Sequence, residues 1–459
     1  MTLNATLESH LADARERFMA ARPNTDAAHS QACKVMPGGN TRTVLYHGPF
    51  PIRVARGEDQ WLHDLDGHRY LDLLGEYTAG LFGHTHPAIR RAIGRALDTG
   101  LNLGAHSERE VELADLVTTR FPAMERVRFT NSGTEANLLA CTLARHVTGR
   151  EKLLVFDGGY HGALLYFGAG GDGVNAPFPY VRAPFNDAAE TRRQITAHAD
   201  DLAAVLVEPM LGSGGCIPAT EDFLSTLRDA CSASGALLIV DEVMTSRFAS
   251  DGRSGAAAIA GVAPDLMTLG KWVGGGVSFG AFGGRADLMA CFDPAAPNAL
   301  PHAGTFNNNT LSMTAGIAGL AEVFPASAAE QLHERGDRLR SAIAEVFSNH
   351  QVDLSVTGCG SLMNIHPSAG PDDRAILRPA DVAARNDAAR ELLFLDLLEK
   401  GIYIARRGFI ALSLAVTDAD LARFVDTLDE VVSARRSVLP TRSAAAVYSR
   451  TAATGAHAA

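Results

Sequence analysis

Four short runs of apolar residues constrain the fold of this chain more than any other feature of its sequence. Helical patterns lie between the runs, as at 134–147 and 221–234. Near-continuous apolar runs of this kind are typical of strands that are buried on both faces of a parallel sheet. We therefore predict an α/β fold with right-handed crossovers. The predicted strands are LLVFDG (153–158), AAVLVEP (203–209), ALLIVDEV (236–243) and LMTLGK (266–271).

The sequence pattern divides the 459 residues into a large and a small predicted domain, since one ordinary core does not extend over so long a chain. Residues 76–325 hold the apolar runs and form the predicted large domain with its mostly parallel central sheet. Residues 1–75, a helix with an arm and strands, join residues 326–439 in a predicted small α+β domain. The tail at 440–459 is rich in Ala, Ser and Thr, and we expect it to be flexible.

Composition and charge exclude several classes of protein. Hydrophobic residues make up 46% of the chain and charged residues 20%, which is ordinary for a globular protein. The formal net charge of -11 argues against nucleic acid or an anionic membrane as a partner, because neither would attract an acidic surface. A small anionic substrate is compatible with this charge, since it needs only a local basic pocket.

The cysteines and the N-terminal segment bear on the compartment. The six cysteines are scattered, with no CxxC pair and no zinc-type spacing, so we predict free thiols and no metal site. Free thiols fit a reducing compartment. Residues 1–24 lack a long apolar core and carry acids, unlike a signal peptide or a membrane span. We therefore expect a cytoplasmic protein.

A turn rich in polar and small residues opens the helix predicted at 134–147. Its sequence, FTNSGTEANLLA (129–140), places Ser132, Gly133 and Thr134 where the first backbone N–H groups of the helix have no partner. Such a helix start is a site for a phosphate group. Ser-Gly-Thr is also an ordinary helix cap, so the turn alone leaves both interpretations open.

Two charged residues stand at the ends of predicted strands, where ligands of open α/β sheets bind. Asp241 follows the run ALLIV, and a carboxylate there needs a positive partner such as a protonated pyridine nitrogen. Glu242 is adjacent, so the sequence does not show which acid points inward, and Asp241 could instead cap a helix. Lys271 ends the run LMTLG ahead of three glycines. A half-buried lysine can have a lowered pKa and form imines, although a lone lysine more often extends to solvent at a strand edge.

An aromatic residue with glycines on both sides follows another predicted strand. In FDGGYHG (156–162), the glycines around Tyr160 and His161 leave room for a ring to lie flat on a planar cofactor. Taken alone, an aromatic residue in a turn is more often packed on the core. None of the four features decides the function by itself, but their order along the chain matches one family.

The chain resembles the class III aminotransferases, which are pyridoxal-phosphate (PLP) enzymes of fold type I. The resemblance runs from about residue 36 to residue 439. It rests on the motifs NSGTEA, GGYHG, VEPM, DEVMTSR, TLGKWVGGG, GAFGGR and HAGTFNNN taken together. It implies PLP as cofactor, with pyridoxamine phosphate (PMP) in the alternate half-reaction. It also implies an amino donor and a 2-oxo acid acceptor as small-molecule partners, and a homodimer with shared active sites.

The resemblance further implies roles for residues of the cofactor site. Lys271 would hold PLP as a Schiff base and move the proton during transfer, and Asp241 would pair with the pyridine nitrogen. Tyr160 would stack on the ring with Val243 behind it, and Thr305 would reach the phosphate of the neighbouring subunit. The remaining implied cofactor residues are Ser132, Gly133 and Thr134 at the phosphate, with His161 and Glu208, to which no particular role is assigned.

Within the family, the chain resembles β-amino-acid aminotransferases of the β-phenylalanine type more than glutamate-1-semialdehyde aminomutases. Arg42 matches the carboxylate-binding arginine of the β-phenylalanine type. Arg407 matches a second arginine that serves the oxo-acid acceptor, and Tyr77 falls in the implied substrate site. The shared motifs include MPGGNTRTVLYHGPFP (36–51), GEYTAGLFGH (75–84) and SFGAFGGRAD (278–287).

Three functions stay open from the sequence. The first is transfer of the amino group of a β-amino acid, aromatic by the resemblance, to 2-oxoglutarate or pyruvate. The second is the intramolecular amino transfer of an aminomutase, although in that subfamily the N-terminal segment runs PGGVNSPVR and here no proline follows Asn40-Thr41. The third is a ligand-binding regulatory protein of the same fold. Such a protein would not need both Lys271 and Asp241, so the presence of both favours an enzyme.

Overall fold

The computed structural model describes residues 2–101, 103–367, 375–382 and 387–441, and for residues 2–5 it describes the backbone alone. The α-helices are α1 (Thr2–Ala20), α2 (Pro23–Cys33), α3 (Pro87–Thr99), α4 (Glu108–Arg120), α5 (Gly133–Thr148), α6 (Ala188–Ala197), α7 (Glu221–Ser234), α8 (Ala256–Ile259), α9 (Ala286–Met289), α10 (Thr310–Ile317), α11 (Ala326–Asn349), α12 (Asp387–Glu399) and α13 (Asp418–Arg435). The strands are β1 (Val54–Glu58), β2 (Trp61–Asp64), β3 (Arg69–Asp72), β4 (Arg126–Thr130), β5 (Lys152–Phe156), β6 (Tyr180–Ala183), β7 (Leu202–Val207), β8 (Met210–Leu211), β9 (Ile217–Pro218), β10 (Leu237–Asp241), β11 (Ala249–Ser250), β12 (Arg253–Ser254), β13 (Leu266–Gly270), β14 (Gly280–Gly284), β15 (Ser355–Cys359), β16 (Leu362–His366), β17 (Ile402–Tyr403) and β18 (Phe409–Ala411).

A seven-stranded sheet forms the centre of the molecule, in the order β4-β14-β13-β10-β7-β5-β6. The pairings from β13 through β10, β7 and β5 to β6 are all parallel. β14 runs antiparallel to both of its neighbours, β13 and β4. The predicted mostly parallel sheet of an α/β fold is therefore confirmed, and the four predicted apolar strands correspond to β5, β7, β10 and β13.

Helices on both faces of this sheet explain why its strands are apolar throughout. Leu154 of β5 packs in one buried cluster with Phe223 of α7. Its neighbour Leu153 packs in a different cluster with Ala140 of α5. Because successive side chains of a strand point to opposite faces, a sheet that is covered on both sides needs apolar residues at every position.

Both ends of the chain contribute to two smaller sheets. β1, β2 and β3 pair antiparallel, and β17 from the C-terminal part adds parallel to β3. β15, β16 and β18 form an antiparallel sheet, and α1 packs against α12. We keep the division into domains as a proposal, in which residues 1–75 and 326–439 would together build the small domain.

The C-terminal boundary differs from the predicted one. The N–H of Asp353 donates a hydrogen bond to the Pro440 carbonyl oxygen (2.6 Å), and Thr441 forms a β-bridge with Val352. The predicted tail therefore does not begin at residue 440, because these backbone contacts hold its first two residues. Residues 442–459 lie outside the described residues. So do residues 383–386, which directly precede α12.

Over the described ranges, no single helix is both long enough and apolar enough to cross a lipid bilayer. The pair Thr310–Val323 and Ala326–Asn349 reaches that length and apolarity together, but the two helices are bent by 77° at the break between them.

Candidate active site

Two neighbouring parallel strands bring the predicted acid and the predicted lysine to one edge of the central sheet. Asp241 is the last residue of β10 and pairs in register with Thr268 of β13. Lys271 directly follows β13. Parallel strands end at the same edge, which is where ligands of such folds bind. A cavity of about 270 Å³ lies there, and the predicted residues that line it are Ser132, Gly133, Thr134, Tyr160, His161, Glu208, Asp241, Val243 and Lys271.

The Asp241 carboxylate is buried and held by three donors. The backbone N–H of Val243 donates to Oδ1 at 2.9 Å. The side-chain amide of Asn137 donates to Oδ2 at 2.8 Å, and His161 Nδ1 lies 2.8 Å from the same oxygen. Asn137 is itself fixed, because its Oδ1 accepts a 2.8 Å hydrogen bond from the Thr268 hydroxyl. An ionised carboxylate accepts about four hydrogen bonds, so Asp241 keeps capacity for one more donor in the cavity.

The neighbouring acid, Glu242, points away from the cavity. Its carboxylate accepts hydrogen bonds from the backbone N–H groups of Ala257 (2.8 Å) and Ala256 (3.2 Å) and from the Thr245 hydroxyl. Burial raises the pKa of Glu242. The question that the sequence left open is therefore answered by the geometry, since Asp241 is the acid that lines the cavity.

The Lys271 side chain is half-buried, and its backbone adopts a left-handed conformation with φ 54°. Burial lowers the pKa of its amine to about 8, although the nearby carboxylates of Asp241 and Glu208 raise it. Within the described part of the chain, no hydrogen bond or ion pair engages this amine. About a tenth of Lys271 is therefore uncharged at pH 7, far more than for an ordinary lysine, and this fraction is available as a nucleophile.

The start of α5 forms an open cradle beside this pair. Ser132 is the N-cap, and its hydroxyl accepts a hydrogen bond from the N–H of Glu135. A Cβ at Gly133 would lie 2.9 Å from Val243 Cγ2, and one at Gly162 would lie 2.1 Å from the Thr134 hydroxyl oxygen. A side chain at either position would clash with these neighbours, and Ser132, Gly133 and Thr134 line the cavity directly. Free N–H groups at a helix start suit an anion.

Glu208 fixes two loops at the edge of the cavity. One of its carboxylate oxygens accepts from the N–H of Tyr160 (2.9 Å), and the other accepts from the N–H of Gly212 (3.0 Å). Burial raises the pKa of Glu208 to about 7. The Tyr160 ring, 41% exposed, lines the cavity above this contact. Glu208 therefore holds the backbone of the residue that was predicted to stack on the cofactor.

The two predicted substrate arginines lie near the cavity without lining it. Arg407 donates to the carbonyl oxygen (3.1 Å) and hydroxyl (3.0 Å) of Ser213, and its guanidinium lies 5.1 Å from the Tyr77 ring centroid. Arg42 forms an ion pair with Glu76. The positive charges of both arginines lower the pKa of Lys271. Both guanidinium groups are thus close enough for their charges to affect the Lys271 amine.

Thr305 is not brought to the cavity within one chain. It lines a separate surface hollow of about 590 Å³ together with Leu103, His106 and Phe306. The structure of a single chain thus separates Thr305 from the other predicted cofactor residues.

Sequence reasoning missed three residues that the geometry brings to the site. Asn137 and Ser213 hold Asp241 and Arg407, and Glu76 occupies Arg42. Asn137 left one usable signal, because a polar side chain that interrupts a run of small and apolar helix residues needs a buried partner. Ser213 and Glu76 left no such signal, since loop residues of their type are ordinarily solvated.

Comparison with known proteins places the chain in a family. The profile of the family Aminotransferase class-III matches residues 45–432. Over 437 residues the chain is 48% identical to the β-phenylalanine transaminase of Variovorax paradoxus, and the alignment covers 95% of this chain and 99% of that enzyme. The crystal structure of a β-phenylalanine aminotransferase from Variovorax paradoxus superposes with a TM-score of 0.92 at 48% identity, over 95% of this chain and all (100%) of that one.

A more distant likeness concerns the aminomutases. A glutamate-1-semialdehyde aminomutase from Pseudomonas aeruginosa PAO1 superposes with a TM-score of 0.84 at 24% identity, over 94% of this chain and 98% of that one. At that identity the likeness shows a common fold and nothing about the reaction. From the family match and the close relative, we conclude that the chain belongs to the class III aminotransferase family.

Proposed function

We propose that this aminotransferase uses PLP and moves the amino group of a β-amino acid, aromatic as in β-phenylalanine, to 2-oxoglutarate or pyruvate. The observation that carries the proposal is that Lys271 and Asp241 line one cavity together with the open start of α5. The relationship to the β-phenylalanine transaminase supports the choice of donor. The aminomutase reaction has only a likeness of fold behind it.

The donors and acceptors around the cavity fit PLP. The N–H groups and hydroxyls at Ser132 and Thr134 would hold the phosphate. The free acceptor capacity of Asp241 suits a protonated ring nitrogen, and the half-exposed Tyr160 ring could lie on the cofactor face. Lys271 would hold the cofactor covalently. The same contacts would hold PMP in the alternate half-reaction.

When bound, the cofactor supplies an aldehyde carbon for amino groups and a ring that accepts the electron pair of a breaking C–H bond. The Lys271 amine then has a second task, which is to take the proton from the donor carbon that bears nitrogen and to return a proton. Its lowered pKa suits this task, because an uncharged amine can accept a proton near neutral pH. Asp241 would keep the ring nitrogen protonated, and Asn137 and His161 orient the Asp241 carboxylate.

A donor screen tests the proposal. Purified enzyme is mixed with β-phenylalanine, glutamate-1-semialdehyde or a simple amine, with 2-oxoglutarate and pyruvate as acceptors. We expect β-phenylalanine to give the fastest transfer, because it combines an aromatic group with a carboxylate that an arginine can bind. Isomerisation of glutamate-1-semialdehyde without any transfer to an external acceptor would instead identify an aminomutase.

The same screen, run as separate half-reactions, assigns the arginines. Arg42→Ala should weaken the β-amino-acid half-reaction more, and Arg407→Ala the acceptor half-reaction more. A desolvated guanidinium–carboxylate pair contributes about 2–4 kcal/mol. The Arg42 side chain is 45% exposed, and solvent screening weakens its pair. We therefore expect Arg42→Ala to cost about 1–2 kcal/mol, which slows the β-amino-acid half-reaction by about five- to thirtyfold. Arg56→Ala, an exposed arginine that pairs with Glu58, is the control. Equal damage to both half-reactions by both variants would contradict the assignment.

We also propose a homodimer in which Thr305 contributes to the neighbour's active site. Thr305 lies outside its own chain's cavity, in the hollow with Phe306, and Phe306 (55% exposed), Leu103 (53%) and Val111 (70%) are large apolar side chains left uncovered in one chain. Sedimentation should give a mass of two chains, and Thr305→Val should release the cofactor more readily while the mass stays that of a dimer. A fully active monomer would refute the proposal.

The cysteines support a cytoplasmic location as a proposal. All six lie in the described part of the chain and are unpaired. Burial raises the pKa of Cys141, Cys216 and Cys231 to about 12, so these thiols are unreactive. Unpaired thiols of this number fit a reducing compartment.

A further inference from the structure

A strained turn lies between the two substrate arginines. Gly75, Glu76, Tyr77 and Thr78 all adopt positive φ, at 53°, 48°, 50° and 83°. Three of the four are not glycine, so the conformation is unfavourable and must be held by its surroundings. The Asp72 carboxylate holds the turn, because its Oδ1 accepts hydrogen bonds from the N–H groups of Leu74 (2.9 Å) and Gly75 (3.1 Å). The surroundings therefore fix where the side chains of the turn point.

The turn presents two successive side chains to the two arginines. The Glu76 carboxylate pairs with Arg42, and the Tyr77 ring lies 5.1 Å from the Arg407 guanidinium. The Tyr77 hydroxyl also donates to the carbonyl oxygen of Val44 at 3.1 Å, which ties the segment that carries Arg42 to the turn. These contacts thus hold Glu76 and Arg42 next to each other.

We propose that the Glu76 carboxylate competes with the carboxylate of the amino donor for the Arg42 guanidinium. With no substrate bound, the Glu76 carboxylate occupies the Arg42 guanidinium, and the donor's carboxylate must displace it. This inference rests on the proposed function, because it takes Arg42 as the carboxylate-binding arginine. A donor without a carboxylate leaves the pair intact and avoids exposing an unpaired arginine. Glu76 therefore sets how strongly the enzyme prefers donors that carry a carboxylate.

The exposure of the pair determines the size of the effect. The side chains of Arg42 and Glu76 are 45% and 50% exposed, and exposed ion pairs are weak. A weak pair leaves Arg42 free for part of the time, and apparent affinity scales with that free fraction. Removing the competitor should therefore tighten binding of a carboxylate by about two- to sixfold.

The experiment measures binding and kinetics in Glu76→Gln. Calorimetric titration of the holoenzyme with 3-phenylpropanoate, which is β-phenylalanine without its amino group, should give a Kd that is about two- to sixfold lower than in the wild type. The KM for β-phenylalanine in the donor half-reaction should fall by a similar factor, while the maximal rate stays the same. The values for 1-phenylethylamine, which is β-phenylalanine without its carboxyl group, should not change.

Three further variants make the result specific. Glu58→Gln removes an exposed carboxylate that pairs with Arg56 at 2.8 Å, and it should change neither constant. In an Arg42→Ala background, Glu76→Gln should have no effect. If Arg42→Ala alone leaves β-phenylalanine binding intact, the assignment of Arg42 in the proposed function fails. If Arg42→Ala weakens binding but Glu76→Gln leaves it unchanged or weakens it, the competitor proposal alone is overturned.

Discussion

Lys271→Ala protein should leave purification almost colourless and should transfer amino groups about 10²- to 10⁴-fold more slowly than the wild type, the range expected for loss of a positioned proton-transfer group. Two effects combine, because the variant loses both the covalent attachment of PLP and the amine that moves the proton. The cradle at the start of α5 is unchanged, so the cofactor should still bind, but it should dialyse away. Absorbance of the dialysed protein measures this retention independently of turnover.

The lysine content of the chain makes the matching chemical experiment unusually clear. The sequence has four lysines, at positions 34, 152, 271 and 400. Lys34 donates a hydrogen bond to Gln31, whereas Lys152 and Lys400 form ion pairs with Asp201 and Glu430. Borohydride reduction of the wild type, followed by peptide mapping, should place the cofactor on Lys271. Lys152→Ala should keep its colour, and a label on any of the other three lysines would overturn the mechanism.

The part of the fold that the sequence predicted well is the part where both faces of a strand are covered. Helices cover both faces of β5, β7, β10 and β13, so nearly every residue of these strands is buried and apolar. Such runs are visible in the sequence. β14 was not predicted, because its sequence, Gly280–Gly284, is rich in glycine. A Cβ at Gly280 would lie 2.2 Å from the carbonyl oxygen of Ser132, and one at Gly283 would lie 2.3 Å from that of Arg126. Close approach of the neighbouring backbone selects glycine there and hides the strand from hydrophobic patterns.

The candidate site divides in the same way. Lys271 and Asp241 were predicted because each stands at the end of an apolar run, which is a local feature. The choice between Asp241 and Glu242 was not local, since it depends on the N–H groups of residues 256 and 257 that take up Glu242. The pairing of Arg42 with Glu76 joins positions 34 residues apart through a strained turn, and no pattern along the chain encodes such a contact.

Asp241→Asn should retain PLP but lose most of its turnover. Truncating one partner of a buried charge pair costs about 3–5 kcal/mol, which corresponds to about 10²- to 10⁴-fold in rate. The physical reason is that an amide holds no charge, so the ring nitrogen loses its proton and the ring accepts the electron pair less readily. The contacts at Lys271 and at the start of α5 do not involve this carboxylate. Single-turnover reaction with β-phenylalanine, normalised to bound cofactor, measures the loss.

The neighbouring residue provides the matched control for this prediction. Glu242→Gln also removes a buried carboxylate, but one whose hydrogen bonds go to Thr245, Ala256 and Ala257 and not to the cavity. It should lower thermal stability and leave turnover per bound cofactor near that of the wild type. Asp241→Asn should in addition alter the pH dependence of the cofactor's absorbance, a signature that a purely structural defect would not produce. Near-normal turnover in Asp241→Asn would show that another group holds the ring nitrogen, and the role assigned to Asp241 would be wrong.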